Sequence, residues 1–495
     1  MIVKFLYNYV ICDIIICDWS LNGGNMEAVL KFIYDNILSI IMMVLLISVG
    51  IFLTARTKVL QFRKFGYATK NTIGSLFDKS QHAKEKGSVS PFQAVTTALA
   101  GTIGTGSIAG LATALVAGGP GAVFWMWISA LLGMVTKYAE IVLSIKFREK
   151  NKEGAWVGGP MYYIKNGLNC KWLAIVFAIF ATVACIGTGN ATQSNAISGV
   201  VKSTMSVPTW VTGLIITIIV AIVILGGVKR IASVNEKLVP AMAIFFVVCG
   251  IIVLGINITE IPSAFALIFS EAFNFKAAFG GVAGYGVLSA MRFGVGRGVF
   301  TNEAGLGSAP IAHAASSTTD PVKQGMWGMF EVFVTTIIIC TMSALVVLTS
   351  DTYKAIYSAV NLNPDLNGAS LSSAAFNEAL PIVGNFGVAI ATIFFSLSTI
   401  FGWAYYGEVC VGYLFKGHRK IAVTIYRVIY VAFVFVGAVA DIGVVWLIAD
   451  CFNVLMALPN LIALVALSKI VSNLTKEHFN NKKGLLNPED KLSKE

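Results

Sequence analysis

Charged residues are scarce in this chain: Asp, Glu, Lys and Arg make up 12% of its 495 residues, against 56% hydrophobic ones. Too little polar surface remains to coat a soluble globule of this size, so the composition implies a polytopic membrane protein. Histidine is scarcer still, and His82, His313, His418 and His478 form neither an H-x-E nor an H-E-x-x-H arrangement. A G-x-x-x-x-G-K-[ST] phosphate loop is absent, which argues against nucleotide hydrolysis by this chain alone. Cys12, Cys17, Cys170, Cys185, Cys249, Cys340, Cys410 and Cys451 lack metal-ligand spacing or a disulfide framework, and most read as small packing residues inside apolar runs. No nucleophile–base or metal constellation marks an enzyme. Basic residues outnumber acidic ones, 36 to 25, yet they lie in short connections between apolar runs. There they report orientation in a bilayer and leave no nucleic-acid footprint.

What the chain has in abundance is long apolar runs. The first reads as a span near 37–54, followed by Arg56, Lys58, Arg63, Lys64, Lys70, Lys79, Lys84 and Lys86, which places that connection in the cytoplasm and the N-terminus outside. Later connections keep the alternation. Basic residues Lys146, Arg148, Lys150 and Lys152, then Lys229, Arg230 and Lys237, then Lys416, Arg419 and Lys420, and finally the tail from Lys469, all fall on the inner side. Eleven spans result, with the C-terminus cytoplasmic and the cell membrane as the expected location. Residues 1–25 carry Asp13 and Asp18 within an apolar stretch too short to span, and no small-residue cleavage site follows it. They read as an extension, with Met26 as a natural start.

Two apolar regions are interrupted. Within 91–133 the sequence Ala100-Gly101-Thr102-Ile103-Gly104-Thr105-Gly106-Ser107 concentrates glycines and hydroxyls where a spanning helix should bond only within itself. Such a cluster fits tight helix packing through small residues, or a helix unwound where it lines a cavity. The region from about 279 to 315 is too long for one regular span of roughly 20 residues. It contains Gly294, Gly296 and Gly298 before Val299-Phe300-Thr301-Asn302-Glu303-Ala304, where Thr301 or Asn302 could cap a restarted helix with Glu303 in its first turn. After the first span, five spans opened by one interruption are followed by five opened by another. An odd number per half inverts the second half, the pattern of an inverted-repeat secondary transporter whose site lies at two broken helices. The expected architecture is all-α: an extension (1–25), an extra span with its loop (26–90), two five-helix repeats (91–257 and 258–468) and a cytoplasmic tail (469–495).

The run Gly118-Gly119-Pro120-Gly121-Ala122-Val123-Phe124-Trp125-Met126-Trp127 closely resembles the signature of the alanine or glycine:cation symporter family. Arg297-Gly298-Val299-Phe300-Thr301-Asn302-Glu303-Ala304-Gly305-Leu306-Gly307 and Phe401-Gly402-Trp403-Ala404-Tyr405-Tyr406-Gly407-Glu408 are similar to further hallmarks of it, and the likeness extends from about Glu27 to Leu467. The resemblance implies sodium-coupled uptake of small neutral amino acids on the five-plus-five fold of bacterial leucine transporters. It implies that Thr105, Gly106 and Ser107 meet the substrate carboxylate at a helix restart, where free N–H groups and the helix dipole favour an anion. Gly104 allows close backbone approach, Thr102 and Thr105 offer hydroxyls, and Gln193 lies on a site-lining helix. By the same likeness, Ser398 and Thr399 would join the carbonyls of Ala100 and Ile103 around Na⁺.

Phe300 is expected to close one side of the pocket, and Asn302 to meet the substrate amino group or the ion, or simply to cap a helix. Trp403, one turn beyond Thr399 and so on the same face, would face Phe300 and exclude large side chains, or merely pack. Asn190 and Asn195 fit either a pocket or interhelical bonds. Arg292 and Arg297 should pair or reach the cytoplasmic interface. Lys137 precedes Glu140 by three residues and is expected to pair with it, while Glu331, Glu408 and Asp450 are acids without an assigned role.

The reading is a carrier importing alanine or glycine with Na⁺ as coupling ion, a lipid bilayer around it, no nucleic-acid partner and no enzymatic activity. A single chain is expected to suffice. Proton coupling is the alternative ion choice. An ion channel would need a continuous hydrophilic path, of which the sequence gives no clear sign. Because residues 1–25 match neither a span nor the family pattern, a chain starting at Met26 should transport like the full chain; lost transport in that truncation at equal expression would disprove this.

Overall fold

The computed structural model describes residues 26–76, 89–273, 283–358, 368–381, 383–440 and 442–484. The expected extension 1–25, Lys79, Lys84 and Lys86 of the first connection, residue 279 at the start of the second interrupted region, and the tail's last residues lie outside the described residues. Apart from a hairpin pairing Glu149 with Val157 and Lys150 with Trp156, the elements are helices.

In chain order these are α1 (Leu30–Arg56), then α2 (Pro91–Thr102) and α3 (Ala109–Gly118) as two halves of a broken helix. They continue with α4 (Gly121–Phe147), α5 (Lys171–Met205), α6 (Thr209–Ile224) and α7 (Gly227–Ile256). A second broken helix, α8 (Ala283–Asn302) and α9 (Ala309–Ala314), is followed by α10 (Pro321–Thr349), α11 (Val383–Leu414), α12 (Arg419–Val439) and α13 (Ile442–Ala466). Each broken helix is thus followed by four longer apolar helices, with shorter helices at Pro160–Gly167, Ile261–Ala272, Asp351–Ser358 and Ala369–Ala379 in the connections and a polar helix, Ser468–Gly484, after α13. Among the described residues eight helices, α1, α4, α5, α7, α10, α11, α12 and α13, are long and apolar enough to cross a bilayer, and α6 is a shorter apolar helix.

Burial separates a core from a lipid-facing coat. The apolar window of α4 is 83% buried inside the protein, that of α7 only 28%. Ile218 and Ile222 on α6, Ile244 and Ile251 on α7, and Ile425 and Val428 on α12 are exposed, as a bilayer-covered surface requires. At the centre, α4 packs against α8 and α10, α1 covers α4 and α13, and α11 packs against α2, α5 and α7. Glycine permits close approach within this packing: a Cβ on Gly294 of α8 would lie 2.3 Å from the Ala122 carbonyl oxygen of α4.

Local signals explain the element boundaries. Ser90 accepts from Gln93 N and the Gln93 side chain accepts from Ser90 N, a capping box that with Pro91 at the first helical position starts α2. Gln93 Nε2 also donates to Glu236 Oε2 on α7 at 2.8 Å. Helix α7 begins at Gly227, so Lys229, Arg230 and Lys237, expected in a connection, ride on its first turns. The carbonyls at the end of α9 find Arg148 from the end of α4, whose guanidinium donates to Ala314, Ser316 and Thr318. Val89 N donates to the Ala315 carbonyl and Ser317 N to the Val89 carbonyl, tying the start of α2 to the end of α9.

Candidate functional site

The first break is held by neutral side chains from two other helices. Helix α2 ends at Thr102, Ile103 takes φ −86°, ψ 75°, Gly104 is extended, and Thr105–Ser107 form a 3₁₀ turn before α3. Gly104 is required by proximity, since a Cβ there would lie 2.6 Å from Thr399 Oγ1. From α11, Thr399 Oγ1 reaches the Ala100 carbonyl at 2.8 Å and the Phe395 carbonyl at 2.9 Å. From α5, Gln193 Oε1 accepts from Thr105 N at 3.4 Å, while its Nε2 donates to the Thr188 carbonyl. The π-helical turn Gly187–Ala191 just before Gln193 is the kind of local irregularity found at functional positions in helices.

The second break differs from expectation. Helix α8 runs through Asn302 and the chain restarts only at Ala309, so Thr301 and Asn302 end a helix instead of capping one. Glu303, Gly305 and Gly307 have φ of 56°, 92° and 82°. Left-handed backbone favours glycine and is costly at Glu303 unless its surroundings hold it. They do so with buried side chains of α4. Glu140 Oε1 accepts from Gly305 N (3.0 Å), Gly307 N (3.1 Å) and Asn460 Nδ2 (2.5 Å), so one carboxylate gathers the free amides of the turn. Lys137 Nζ donates to the Asn302 carbonyl at 3.0 Å, a cation at the negative end of α8.

The expected Lys137–Glu140 pair is therefore not formed. Lys137 pairs instead with Glu331 at 2.9 Å, and Glu331 also meets His313 Nε2 at 2.9 Å. These groups are fully buried, where each charge needs a partner, and the broken helix offers both signs within reach of one face of α4.

The structure gathers most of the expected site residues at the two breaks. Ala100, Thr102, Ile103, Thr105, Gln193, Asn302, Ser398, Thr399 and Trp403 are each at most 2% exposed. Thr399 meets Ala100, and Gln193 meets Thr105. Phe300 and Thr301 cover Gly106, where a Cβ would lie 2.9 Å from Phe300 Cδ1. Other side chains turn elsewhere. The Thr102 hydroxyl bonds back to the Ala98 and Leu99 carbonyls, and Ser398 Oγ to the Phe395 carbonyl, beside Met242 Sδ. Asn302 bridges Thr336 Oγ1 and Ala304 N. Asn190 donates to Tyr430 O and Asn195 to the carbonyls of Gly437 and Ala440, both interhelical bonds. Thr105 Oγ1 is buried without a partner among the described residues, a free hydroxyl at the first break.

Two aromatic expectations are corrected. Phe300 does not face Trp403: its ring partner is Trp446, at 5.0 Å between centroids, with Arg297 over both rings and paired to Asp450 at 3.3 Å. The Trp403 indole N–H donates to Glu303 Oε1 at 2.8 Å and its ring lies beside Tyr406. Arg292 pairs with Asp35 at 2.6 Å and Arg427 with Glu408 at 2.7 Å. Glu303 and Asn460 went unnoticed in the sequence as site residues. An acid in the middle of an apolar region is the signal that could have marked Glu303.

Residues 24–492 match the sequence profile described as the sodium:alanine symporter family. The chain is similar to the sodium/alanine symporter AgcS of Methanococcus maripaludis, 46% identical over 441 residues that cover 88% of this chain and 93% of that protein. It is also similar to an uncharacterised transporter of Haemophilus influenzae, 45% identical over 92% of this chain and 96% of the relative. In fold it resembles a Na⁺-coupled sialic acid symporter solved in a substrate-bound outward-open state, with a TM-score of 0.52 at 12% identity, covering 88% of this chain and 97% of that one.

Glu140→Ala removes the acceptor of two buried backbone N–H groups, each costing about 1–3 kcal/mol when unsatisfied, so stability should fall by about 2–6 kcal/mol. Glu140→Gln, which keeps an acceptor oxygen, should lose less. Unfolding midpoints of the purified variants check this; equal stability of Glu140→Ala and the unsubstituted protein would show that the turn holds itself.

Proposed function

Because the chain belongs to the sodium:alanine symporter family, we propose that it imports alanine or glycine together with Na⁺ by alternating access around its two broken helices. The chain is a multi-pass membrane transporter and not an enzyme, with Na⁺ as its coupling ion. Alanine is the substrate class that the family carries, and glycine is the finer part of the proposal. Eleven crossings follow if α6 and both broken helices span along with the eight long helices. In the proposed topology the two five-helix repeats are inverted, the N-terminus is outside, the C-terminus is cytoplasmic and the membrane is the cell membrane.

The observation that carries the reading is the first break, whose unwound backbone is held by Thr399 and Gln193 from helices distant in sequence. A hydroxyl has one hydrogen and two lone pairs. Thr399 can give its hydrogen to Phe395 O and turn a lone pair toward an ion beside the Ala100 carbonyl. Na⁺ is a hard cation that takes such neutral oxygens, so Thr399, Ala100, Ile103 and Ser398 are its proposed ligands. Ser398 would first have to turn from Phe395 O. The substrate carboxylate would lie against Gly104, Thr105 and Gly106, with the free Thr105 hydroxyl as donor and Gln193 and Thr102 beside it. Phe300 covers Gly106 from one side, and Asn302 fixes the end of α8 through Thr336. Trp403 is the proposed wall that leaves room for a methyl group or a hydrogen.

Alanine uptake into proteoliposomes should require a sodium gradient and show counterflow, which a channel would not. In that assay Thr399→Ala should raise the half-activating Na⁺ concentration by about tenfold, equivalent to about 1.4 kcal/mol, with alanine affinity at saturating Na⁺ little changed. Unaltered sodium dependence would remove Thr399 from the ion site.

Trp403→Ala should admit valine. A methylene fitted into or kept out of such a pocket is worth about 1–3 kcal/mol, so the preference for alanine over valine should fall by roughly tenfold or more. The ratio of the two affinities in one preparation decides it, and an unchanged ratio with alanine still bound would place the wall elsewhere.

A further inference from the structure

We propose that Glu303 is a positioning residue for substrate selectivity: from the corner of the second break it fixes the Trp403 indole and so sets how large a side chain the pocket admits. The inference rests on the reading of Trp403 as the pocket wall. Glu303 leaves α8 at φ 56°, and its carboxylate points at neighbours on two other elements. Oε1 accepts the Trp403 indole N–H from α11 at 2.8 Å, and Oε2 accepts the Ser308 hydroxyl at the start of α9 at 2.6 Å. It also lies against α2, where a Cβ on Gly101 would come within 3.0 Å of Oε1.

Two other neighbours confine the indole by packing. Gly189, in the π-helical turn of α5, leaves the room it occupies, since a Cβ there would lie 2.1 Å from Trp403 Cβ. Tyr406 sits at 5.6 Å between ring centroids. Apolar contacts are non-directional, whereas a hydrogen bond prefers a nearly straight N–H···O line. The indole has one polar atom, and it is buried. The acceptor therefore decides where the plane of the ring stands. Because that acceptor belongs to the break, a rearrangement of the Glu303–Ser308 turn would move the wall, joining selectivity to the state of the broken helix.

The test is the alanine-to-valine affinity ratio of the full chain in proteoliposomes for Trp403→Ala, Glu303→Ala, Glu303→Gln and the Trp403→Ala/Glu303→Ala double variant. Glu303→Ala should lower the ratio at least about threefold, Glu303→Gln should keep it because the amide oxygen still accepts the indole N–H, and the double variant should go no lower than Trp403→Ala alone. If Glu303→Ala does not fold, Glu303→Asp, which withdraws the acceptor by one methylene, should lower the ratio in its place. A ratio unchanged in Glu303→Ala or Glu303→Asp while Trp403→Ala shifts it would overturn the proposal. So would equal effects of Glu303→Gln and Glu303→Ala, since charge and not acceptor position would then matter, or additive effects in the double variant. An unshifted ratio in Trp403→Ala would instead defeat the wall reading itself.

Discussion

A helix interrupted inside a membrane has no water to bond the backbone it frees, so the protein must supply partners, and the bond from Glu140 to the amides of Gly305 and Gly307 does this for the second break. The carboxylate stands one turn from Lys137, which attends to the Asn302 carbonyl at the end of α8. An acceptor and a cation on one face of α4 thus bind the two polarities of a single broken helix. Much else follows from that placement. Asn460 draws α13 to the turn, where Tyr163 also bonds it. Lys137 reaches Glu331 and, through it, His313 and Gln324, which join α9 to α10. Donors run consistently along this chain: Ser316 to Gln324, Gln324 Nε2 to His313 Nδ1, and His313 Nε2 to Glu331.

The first break is built from weaker material. Its partners are an amide and a hydroxyl, and each has an alternative: Thr399 can bond Ala100 or Phe395, and Gln193 also engages Thr188 and Thr192. Neutral groups that can exchange partners at low cost suit the ion and substrate site proposed there. Fully buried charges suit a fixed frame, because breaking one such contact costs several kcal/mol, about 3–5 when a buried ion pair loses a partner. The two breaks therefore divide the labour, one exchangeable and one held. Glu303 and Trp403 stand where they meet, against Gly101 of the first broken helix.

How much of this was legible in the sequence depends on the range over which each feature is decided. The apolar runs read as spans coincide with helices, because hydrophobic length is a local property, but their ends do not: α7 begins at Gly227 and takes in Lys229, Arg230 and Lys237, which read as a connection. The Gly-Thr cluster at 100–107 marked the first interruption for the same reason, whereas Gly294, Gly296 and Gly298, read as the second, lie inside α8. The second restart was misplaced by several residues, at Thr301–Glu303 instead of Ala309, since a capping pattern cannot show that Glu140, 165 residues before Gly305, will hold the turn open. The expected facing of Phe300 and Trp403 failed likewise. Helical phase tells which side of its own helix a ring occupies, but not that Trp446 would cover one ring and Glu303 bind the other.

The sequence by itself determined that this is a largely helical membrane protein with two interrupted apolar regions, and where the first of them loses its helical bonding, because each of these depends on residues within one helix length. Only the tertiary structure decided the partners: Lys137 with Glu331 instead of Glu140, Glu140 with the Gly305 and Gly307 amides, and Trp403 with Glu303. In an interior without water every buried charge and N–H must be matched, and the match goes to whichever group the fold brings within bonding distance, however far away it lies along the chain.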